Sequence, residues 1–323
     1  MANANLTNAK RAKNDEFYTQ LTDIEKEMRH YKDFFKGKVV YCNCDDARES
    51  NFFKYFSLNF EHLGLKKLIT TGFKADGKGV VLIYEGDKNG NRIVEDSEII
   101  TKELEGNGDF RSAECIEFLK ECDVVVTNPP FSLFREYVAQ LMEYKKKFLI
   151  IGNQNAITYK EIFPYIKNNE LWLGLSMNGS NRWFQAPDNY EVMEKAAGYK
   201  VIDGKKYYFV NGVTWFTNIP HNKRNEELDL YRKYDADAYP KYDNYDAIEV
   251  SKVSEIPMDY KGVMGVPITF LYKYCPTQFE IVDARDYTNV EKLKNKSTYL
   301  VKDKDSAING KPTYARILIK RRL

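Results

Sequence analysis

The sequence predicts a doubly wound α/β fold, followed by a C-terminal region of different composition. In residues 38–73 and again in residues 123–152, short apolar segments alternate with amphipathic ones. Strand, turn, helix and strand in that order form a βαβ unit, which favours a parallel sheet. The 323 residues are enough for one large domain or two modest ones. Ligands are therefore expected at the carboxyl ends of the predicted strands.

The first predicted unit begins with an amphipathic helix. Leu21, Ile24 and Met28 recur at helical spacing, the pattern continues to Phe35, and Gly37 ends it. The elements that follow are a buried strand (residues 38–43), a polar turn (44–46), a helix around residues 52–56 and a second strand (68–73).

An insertion separates this unit from the next. Residues 80–84 and 92–94 flank a turn-rich loop, which predicts a hairpin. The alternation resumes with a helix around residues 115–120, a strand at 123–127, a helix at 134–143 and a strand at 148–152. Segments at residues 171–175, 207–210 and 214–217 are predicted to close the sheet.

Beyond about residue 221 the sequence becomes rich in Tyr, Asp and Lys. Strands are predicted there at residues 266–272, 279–282 and 314–320. We therefore divide the chain into an N-terminal segment (residues 1–36), a sheet domain (37–220) and a C-terminal region (221–323).

The bulk composition indicates an ordinary folded protein and does not identify a partner. Hydrophobic residues make up 43%, and 49 basic against 47 acidic residues leave a net charge of +2. Affinity for nucleic acid comes from local basic patches rather than totals. The Lys/Arg-rich places, residues 145–147, 205–206 and 320–322, are equally typical of solvated surface.

The cysteines and the hydropathy of the chain bear on its cellular compartment, on metal binding and on membrane association. Five cysteines, an odd number, and a polar basic N-terminus predict reduced thiols in a cytoplasm. Cys42 and Cys44 have no second pair at zinc spacing, so no metal site is predicted. No apolar run approaches the roughly 20 residues that cross a bilayer, so no membrane partner is expected.

The most informative motif is Asn128-Pro129-Pro130-Phe131, directly after the predicted strand at residues 123–127. An amine conjugated to a ring is a poor nucleophile, and it improves when acceptors hold both its protons as it attacks a methylsulfonium. The Asn128 side-chain carbonyl and the Pro129 main-chain carbonyl are such acceptors, and the prolines keep the turn rigid. Phe131 offers a flat face for a base. The alternative is a rigid strand-to-helix turn with Phe131 as a core ring.

Several other segments resemble the EcoRI-type adenine-specific DNA methyltransferase family. They are residues 14–20, 40–46, 50–56, 265–271, 274–276 and 314–320, and the resemblance extends from about residue 13 to the C-terminus. It implies a Rossmann-like domain that uses S-adenosylmethionine to methylate adenine N6 in double-stranded DNA, with the base flipped out of the duplex. It also suggests GAATTC as the target, monomeric action and a cognate restriction endonuclease that shares the site.

The resemblance assigns eight residues to the cofactor and four to the target base. The cofactor residues are Phe17, Tyr18, Thr19, Asn43, Asp45, Asp46, Asp109 and Phe110. The residues that hold the target adenine are Asn128, Pro129, Pro130 and Phe131. Residues 17–19 would line the methionine end of the cofactor, residues 43–46 its amino-acid part, and residues 109–110 its adenine.

Each cofactor assignment has a structural alternative. Residues 17–18 would equally serve as a hydrophobic staple for the next helix. Asp45 and Asp46 would suit a helix cap, and Asp109 a turn beside two glycines. The usual glycine-rich loop is replaced by residues 42–46, and residues 70–72 offer no carboxylate for the cofactor ribose, whose contact is left unassigned.

Residues 221–323 are the natural candidate for target recognition. Arg224, Arg232, Lys233 and Lys241 can read guanine edges or hold phosphates, and the tyrosines there can wedge or stack. The alternative is a charged aromatic surface.

Two other functions stay open. Methylation of RNA adenine or of protein glutamine also uses an Asn-Pro-Pro-aromatic strip. The second alternative is a DNA-binding module that has the methyltransferase fold but no catalytic activity, and the missing glycine-rich loop is the reason to consider it.

Overall fold

A computed structural model describes residues 19–75, 77–185, 198–301 and 306–322. The α-helices within these ranges are α1 (Leu21–Met28), α2 (Asn51–Leu58), α3 (Phe60–Leu63), α4 (Ala113–Glu121), α5 (Phe134–Glu143) and α6 (Phe163–Lys167). The strands there are β1 (Val39–Asp45), β2 (Lys67–Gly72), β3 (Val80–Tyr84), β4 (Ile99–Glu103), β5 (Val124–Thr127), β6 (Lys147–Asn153), β7 (Trp172–Leu173), β8 (Ser180–Gln185), β9 (Tyr199–Ile202), β10 (Lys205–Thr217), β11 (Ile248–Glu249), β12 (Met264–Pro267), β13 (Phe279–Ile281), β14 (Ala307–Ile308), β15 (Lys311–Pro312) and β16 (Arg316–Arg321).

The described residues form two compact units. The first contains residues 19–154 and Leu173–Ile219, and the second contains Asn155–Trp172 and the described residues from Pro220 onward. Residues 155–172, which the sequence analysis counted within 37–220, therefore pack with the second unit.

The first unit is built on a mixed sheet with the strand order β4-β3-β2-β1-β5-β6-β10-β7, and β8 and β9 pair with β10. The central pairs β2–β1, β1–β5 and β5–β6 are parallel, whereas β3, β4 and β10 run antiparallel to their neighbours. From β1 the chain proceeds to β2 on one side and later returns to β5 on the other. This reversal is a topological switch point, where open α/β sheets bind ligands. The predicted α/β class is confirmed, with antiparallel flanks that the βαβ pattern did not predict.

The central strands are apolar because both of their faces are covered. β1 and β5 are buried along their whole length, which is why their sequences are nearly continuous apolar runs rather than alternating ones. The helices beside them begin at serine caps. The Ser50 hydroxyl accepts from the Phe52 amide at 3.1 Å, and the Ser112 hydroxyl accepts from the Cys115 amide at 3.3 Å.

Two element predictions are wrong in detail. The second arm of the predicted hairpin is β4 rather than residues 92–94. The Asp87 carboxylate accepts from the amides of Gly90 (2.7 Å) and Arg92 (2.6 Å), which closes those residues into a turn before β4 begins. The N-terminal helix ends at Met28, and a separate 3-10 turn at Lys32–Phe34 completes the amphipathic stretch.

The second unit contains a four-stranded sheet, β11-β12-β16-β13, and the pair β14–β15. The strand predicted at residues 266–272 ends at Pro267 and continues as the 3-10 helix Ile268–Lys273. A buried ion pair supports this sheet, because Arg316 of β16 donates to Glu249 of β11 at 2.6 Å. Such a pair is costly to break from one side, and it links the two strands that flank β12.

Candidate functional site

The Asn-Pro-Pro-Phe strip (residues 128–131) leaves the carboxyl end of β5 beside the end of β1. Residues 40–41 of β1 pair with residues 124–125 of β5, so both strands end at the same edge of the sheet. The Thr127 hydroxyl donates to the main-chain carbonyl of Asn43 and joins the two ends. Asn128 is only 2% exposed. The structure thus brings the strip close to the last residues of β1 at the switch point.

The path from the strip into α5 is fixed by close packing. The Leu133 amide donates to the Pro130 carbonyl at 3.0 Å, and the helix begins at Phe134. A Cβ at Gly152 would lie 2.5 Å from the Phe134 ring, so β6 needs a glycine where α5 rests on it. Phe131 belongs to the hydrophobic core, as the alternative interpretation expected, and its stacking role stays a proposal.

The prediction of a strand that ends at residue 43 and a polar turn at residues 44–46 is wrong in detail, because β1 continues to Asp45. Cys44 has φ of 69°, in the left-handed region that glycine adopts most readily, and the β1–β2 register shifts between Cys42 and Asp45. The irregularity therefore lies within the last residues of β1, a strand that contains no glycine.

Asp45 and Asp46 organise the entry into α2. Asp45 Oδ2 accepts from the Ser50 hydroxyl at 3.0 Å, and Ser50 caps the helix. Asp46 Oδ1 accepts from the amides of Arg48 (2.9 Å) and Glu49 (2.8 Å). Both carboxylates support the chain before α2, but the helix cap is Ser50 and not the Asp45 or Asp46 of the structural alternative. Their contact with a cofactor stays a proposal.

Tyr137, which the sequence analysis did not single out, links three of the predicted segments. Its hydroxyl donates to Asn43 Oδ1, and its ring meets the Phe110 ring edge-on with 5.0 Å between centroids. Burial raises the pKa of Tyr137 well above its ordinary value, so the hydroxyl keeps its proton. The residue lies on α5, which follows the strip. Its spacing marks it only as a core position, because a buried polar tip leaves no periodic signal.

Asp109 forms a fork with Arg111, a second residue that the sequence analysis missed. Asp109 Oδ1 accepts from Arg111 Nε at 2.9 Å, and Oδ2 accepts from Nη2 at 2.7 Å. This guanidinium lowers the pKa of Asp109. Arg111 also lies 5.2 Å from the Phe110 ring centroid and 3.1 Å from Glu136 of α5. The pair therefore ties the loop to the helix that follows the strip.

Glycines allow the loop before Asp109 to approach the end of β2. Gly108 has φ of 82°, and a Cβ there would lie 2.3 Å from the Gly72 carbonyl oxygen. The amide of Lys74 donates to the Asn107 carbonyl at 2.9 Å. These contacts bring Asp109 and Phe110 to the edge where β1 and β2 end.

Thr19 is the described part of the predicted N-terminal contact segment. Its hydroxyl is buried and has no hydrogen-bond partner among the described residues, and its carbonyl accepts from Asn51 Nδ2 at 2.7 Å. Phe17 and Tyr18 lie outside the described residues.

In β2, the Thr70 hydroxyl donates to the Ala47 carbonyl at 3.0 Å, and the Thr71 hydroxyl is hydrogen-bonded to the Tyr41 hydroxyl at 2.8 Å. Both threonines are therefore engaged within the protein.

The described part of the chain contains neither a metal-binding cluster nor a membrane-spanning helix. No group of three or more His, Cys, Asp or Glu side chains there is arranged to hold a metal ion. No described helix combines the length and the apolar character that a bilayer crossing requires.

Comparison with known proteins gives matches along almost the whole chain. The family described as adenine-specific methyltransferase EcoRI matches residues 5–322. Type II methyltransferase M.EcoRI of Escherichia coli is 49% identical over 98% of this chain and 95% of its own length. Type II methyltransferases M.MpnI of Mycoplasma pneumoniae and M.MgeORF184P of Mycoplasma genitalium are 42% and 40% identical, each over 97% of both chains.

Proposed function

The chain belongs to the EcoRI family of adenine-specific methyltransferases and is an adenine-specific DNA methyltransferase, and we propose which of its residues perform the reaction. The observation that carries the proposal is the position of the strip. Residues 128–131 follow β5 at the switch point, where Thr127, the last residue of β5, is hydrogen-bonded to Asn43 of β1. A target base and a cofactor held at these two strand ends would be neighbours.

The residues at the turn after β1 fit S-adenosylmethionine. The buried Thr19 hydroxyl would gain a partner from a polar cofactor atom, because such groups are seldom left unsatisfied. Asp45 and Asp46 suit the ammonium of an amino acid, and Asn43 suits its carboxylate. Phe110 would pack against the cofactor adenine, with Asp109 beside it. The bound cofactor supplies a methyl group activated on a sulfonium.

At the strip, the chain's own residues prepare the amine. The Asn128 side-chain carbonyl and the Pro129 main-chain carbonyl would each accept one proton of the adenine amino group. Asn128 is withdrawn from water, so its dipole acts more strongly on the positive charge that grows on the nitrogen. Pro129 and Pro130 have no N–H that would compete. The target base would have to flip out of the duplex to reach these groups.

The remaining assignments concern partners and location. We propose that the second unit reads double-stranded DNA, that GAATTC is the target, and that the enzyme acts as a monomer alongside a nuclease of the same specificity. The relation to M.EcoRI supports this group of proposals. All five cysteines are described and buried, and none forms a disulfide, which supports the proposed cytoplasmic location. Phe17 and Tyr18 stay in the proposed cofactor site.

A methyl-transfer assay with labelled S-adenosylmethionine tests the function. Four substrates are compared: duplex DNA containing GAATTC, the same duplex with the site scrambled, RNA containing adenine, and a protein extract. We expect label on the first duplex and in N6-methyladenine. Label on RNA or protein alone would reject the proposed substrate, and equal label on both duplexes would reject the proposed target.

A further inference from the structure

One arginine of the second unit carries a charge that no acidic side chain in the described ranges neutralises. Arg224 lies in the 3-10 turn Asn222–Asn225 and is half-buried. Its Nη2 donates to the side-chain oxygen of Asn169 at 2.8 Å. Within the described residues that is the one hydrogen bond of its side chain, and no carboxylate forms an ion pair with it.

Other arginines of the same unit are paired with acids. Arg316 contacts Glu249 at 2.6 Å, and Arg285 contacts Asp283 at 2.7 Å. Withdrawing a charge from water without a partner costs free energy. Burial lowers the pKa of Arg224 to about 10, so the side chain is still a cation at neutral pH. Its charge is therefore retained at a cost, which a bound anion would offset.

The surroundings of Arg224 hold its guanidinium in one orientation. The Cζ atom lies 3.9 Å from the ring centroid of Trp172 and 5.8 Å from that of Tyr274. Stacking on Trp172 and the bond to Asn169 fix the plane of the group. A guanidinium has five N–H donors, and four of these have no acceptor here. Nε and Nη1, which carry three of these donors, are not sealed from solvent, so an anion can reach them.

We propose that Arg224, stacked on Trp172, binds a phosphate of the DNA backbone. The proposal rests on the proposed function, because it takes duplex DNA as the substrate. The planar fork of a guanidinium matches two phosphate oxygens. A guanine edge is the less suitable partner. Base edges lie at the floor of a major groove about 8.5 Å deep, and a half-buried guanidinium fixed against Trp172 is less suited to that depth than to phosphates at the surface of the duplex.

The test is the salt dependence of DNA binding by the full-length protein. Binding of wild type and Arg224→Gln is measured with the target duplex and a scrambled duplex, with S-adenosylhomocysteine present, at several salt concentrations. One lost phosphate contact should reduce the slope of log K against log[salt] by about 0.9. At 0.1 M salt the same loss makes binding roughly eightfold weaker, and equally so for both duplexes.

Two further variants separate the charge from its structural setting. Arg285→Gln is the control, because Arg285 belongs to the same unit but is already paired with Asp283. In this variant Asp283 keeps its second partner, Lys167, at 3.2 Å, and the slope of log K against log[salt] should not change. Arg224→Lys keeps the charge and should retain most of the slope. Thermal unfolding of each variant shows whether the fold is intact.

Three results would overturn the phosphate site. An unchanged slope for Arg224→Gln would leave the residue with a structural role only. Weaker binding confined to the target duplex would make it a reader of guanine. A slope lost equally in Arg224→Lys would show that charge is not what the site contributes. If the wild type bound neither duplex and methylated no DNA, the proposed function would fail too, whereas normal methylation with an unchanged slope would reject this inference alone.

Discussion

At the scale of single residues, the hydroxyl of Tyr137 is the contact that orients Asn43. Tyr137→Phe keeps the ring against Phe110 and removes the donor. One hydrogen bond of this kind is worth about 1 kcal/mol, so we expect KM for S-adenosylmethionine to rise roughly fivefold with little change in kcat. Tyr144→Phe, just after the same helix, is the matched control. A fall in kcat with unchanged KM would show that the contact serves the strip and not the cofactor.

The ion pair of Asp109 and Arg111 predicts a pH effect. The pKa of Asp109 is lower in the folded protein than in the unfolded chain, where it is about 3.9. The ion pair therefore stabilises the fold fully above about pH 3.9, and this stabilisation is lost as the pH falls through the pKa of the folded protein. Arg111→Met removes the cause of the shift. Acid unfolding followed by circular dichroism should then have its midpoint at higher pH. Arg48→Met, which removes an exposed pair with Asp96, should stay near wild type. Equal midpoints for all three proteins would contradict the prediction.

At the scale of elements, the loop before Asp109 depends on its contact with the end of β2. Gly108→Ala combines an unfavourable φ with a clash against the Gly72 carbonyl, and we expect a loss of about 2 kcal/mol or more in the free energy of unfolding. Gly204→Ala has a similar φ of 75° but open space around the new Cβ, so it should cost about 1 kcal/mol. Urea denaturation measures both. Similar losses in the two variants would mean that the close approach contributes nothing.

The elements also show what a sequence can predict. β1, β5 and α5 are recognisable because buried parallel strands and amphipathic helices leave continuous or periodic apolar patterns. The position of β4 was predicted wrongly because hydrogen bonds to one carboxylate, Asp87, decide where the turn ends. The strip at residues 128–131 is recognisable because it directly follows a buried strand, whereas Tyr137 and Arg111 were missed. Their roles depend on contacts 94 and 25 residues away in the chain, with Asn43 and Glu136.

At the scale of the whole molecule, the two units divide the proposed work. The first carries the switch point, the strip and the proposed cofactor residues, and the second carries Arg224 and the Tyr-rich C-terminal sequence. Residues 155–172 pack with the second unit although they precede the last strands of the sheet in sequence. Periodicity cannot show such an exchange, because it reports local structure and not the unit against which a segment packs.

The central claim is that Asn128 holds the amine that receives the methyl group. Single-turnover methylation of duplex DNA, with calorimetry of S-adenosylmethionine binding, tests it in Asn128→Ala. Loss of one preorganised acceptor should slow methyl transfer by about 10²- to 10³-fold and leave cofactor affinity within about twofold of wild type. Methyl transfer by Asn128→Ala at near-wild-type rate would contradict the claim.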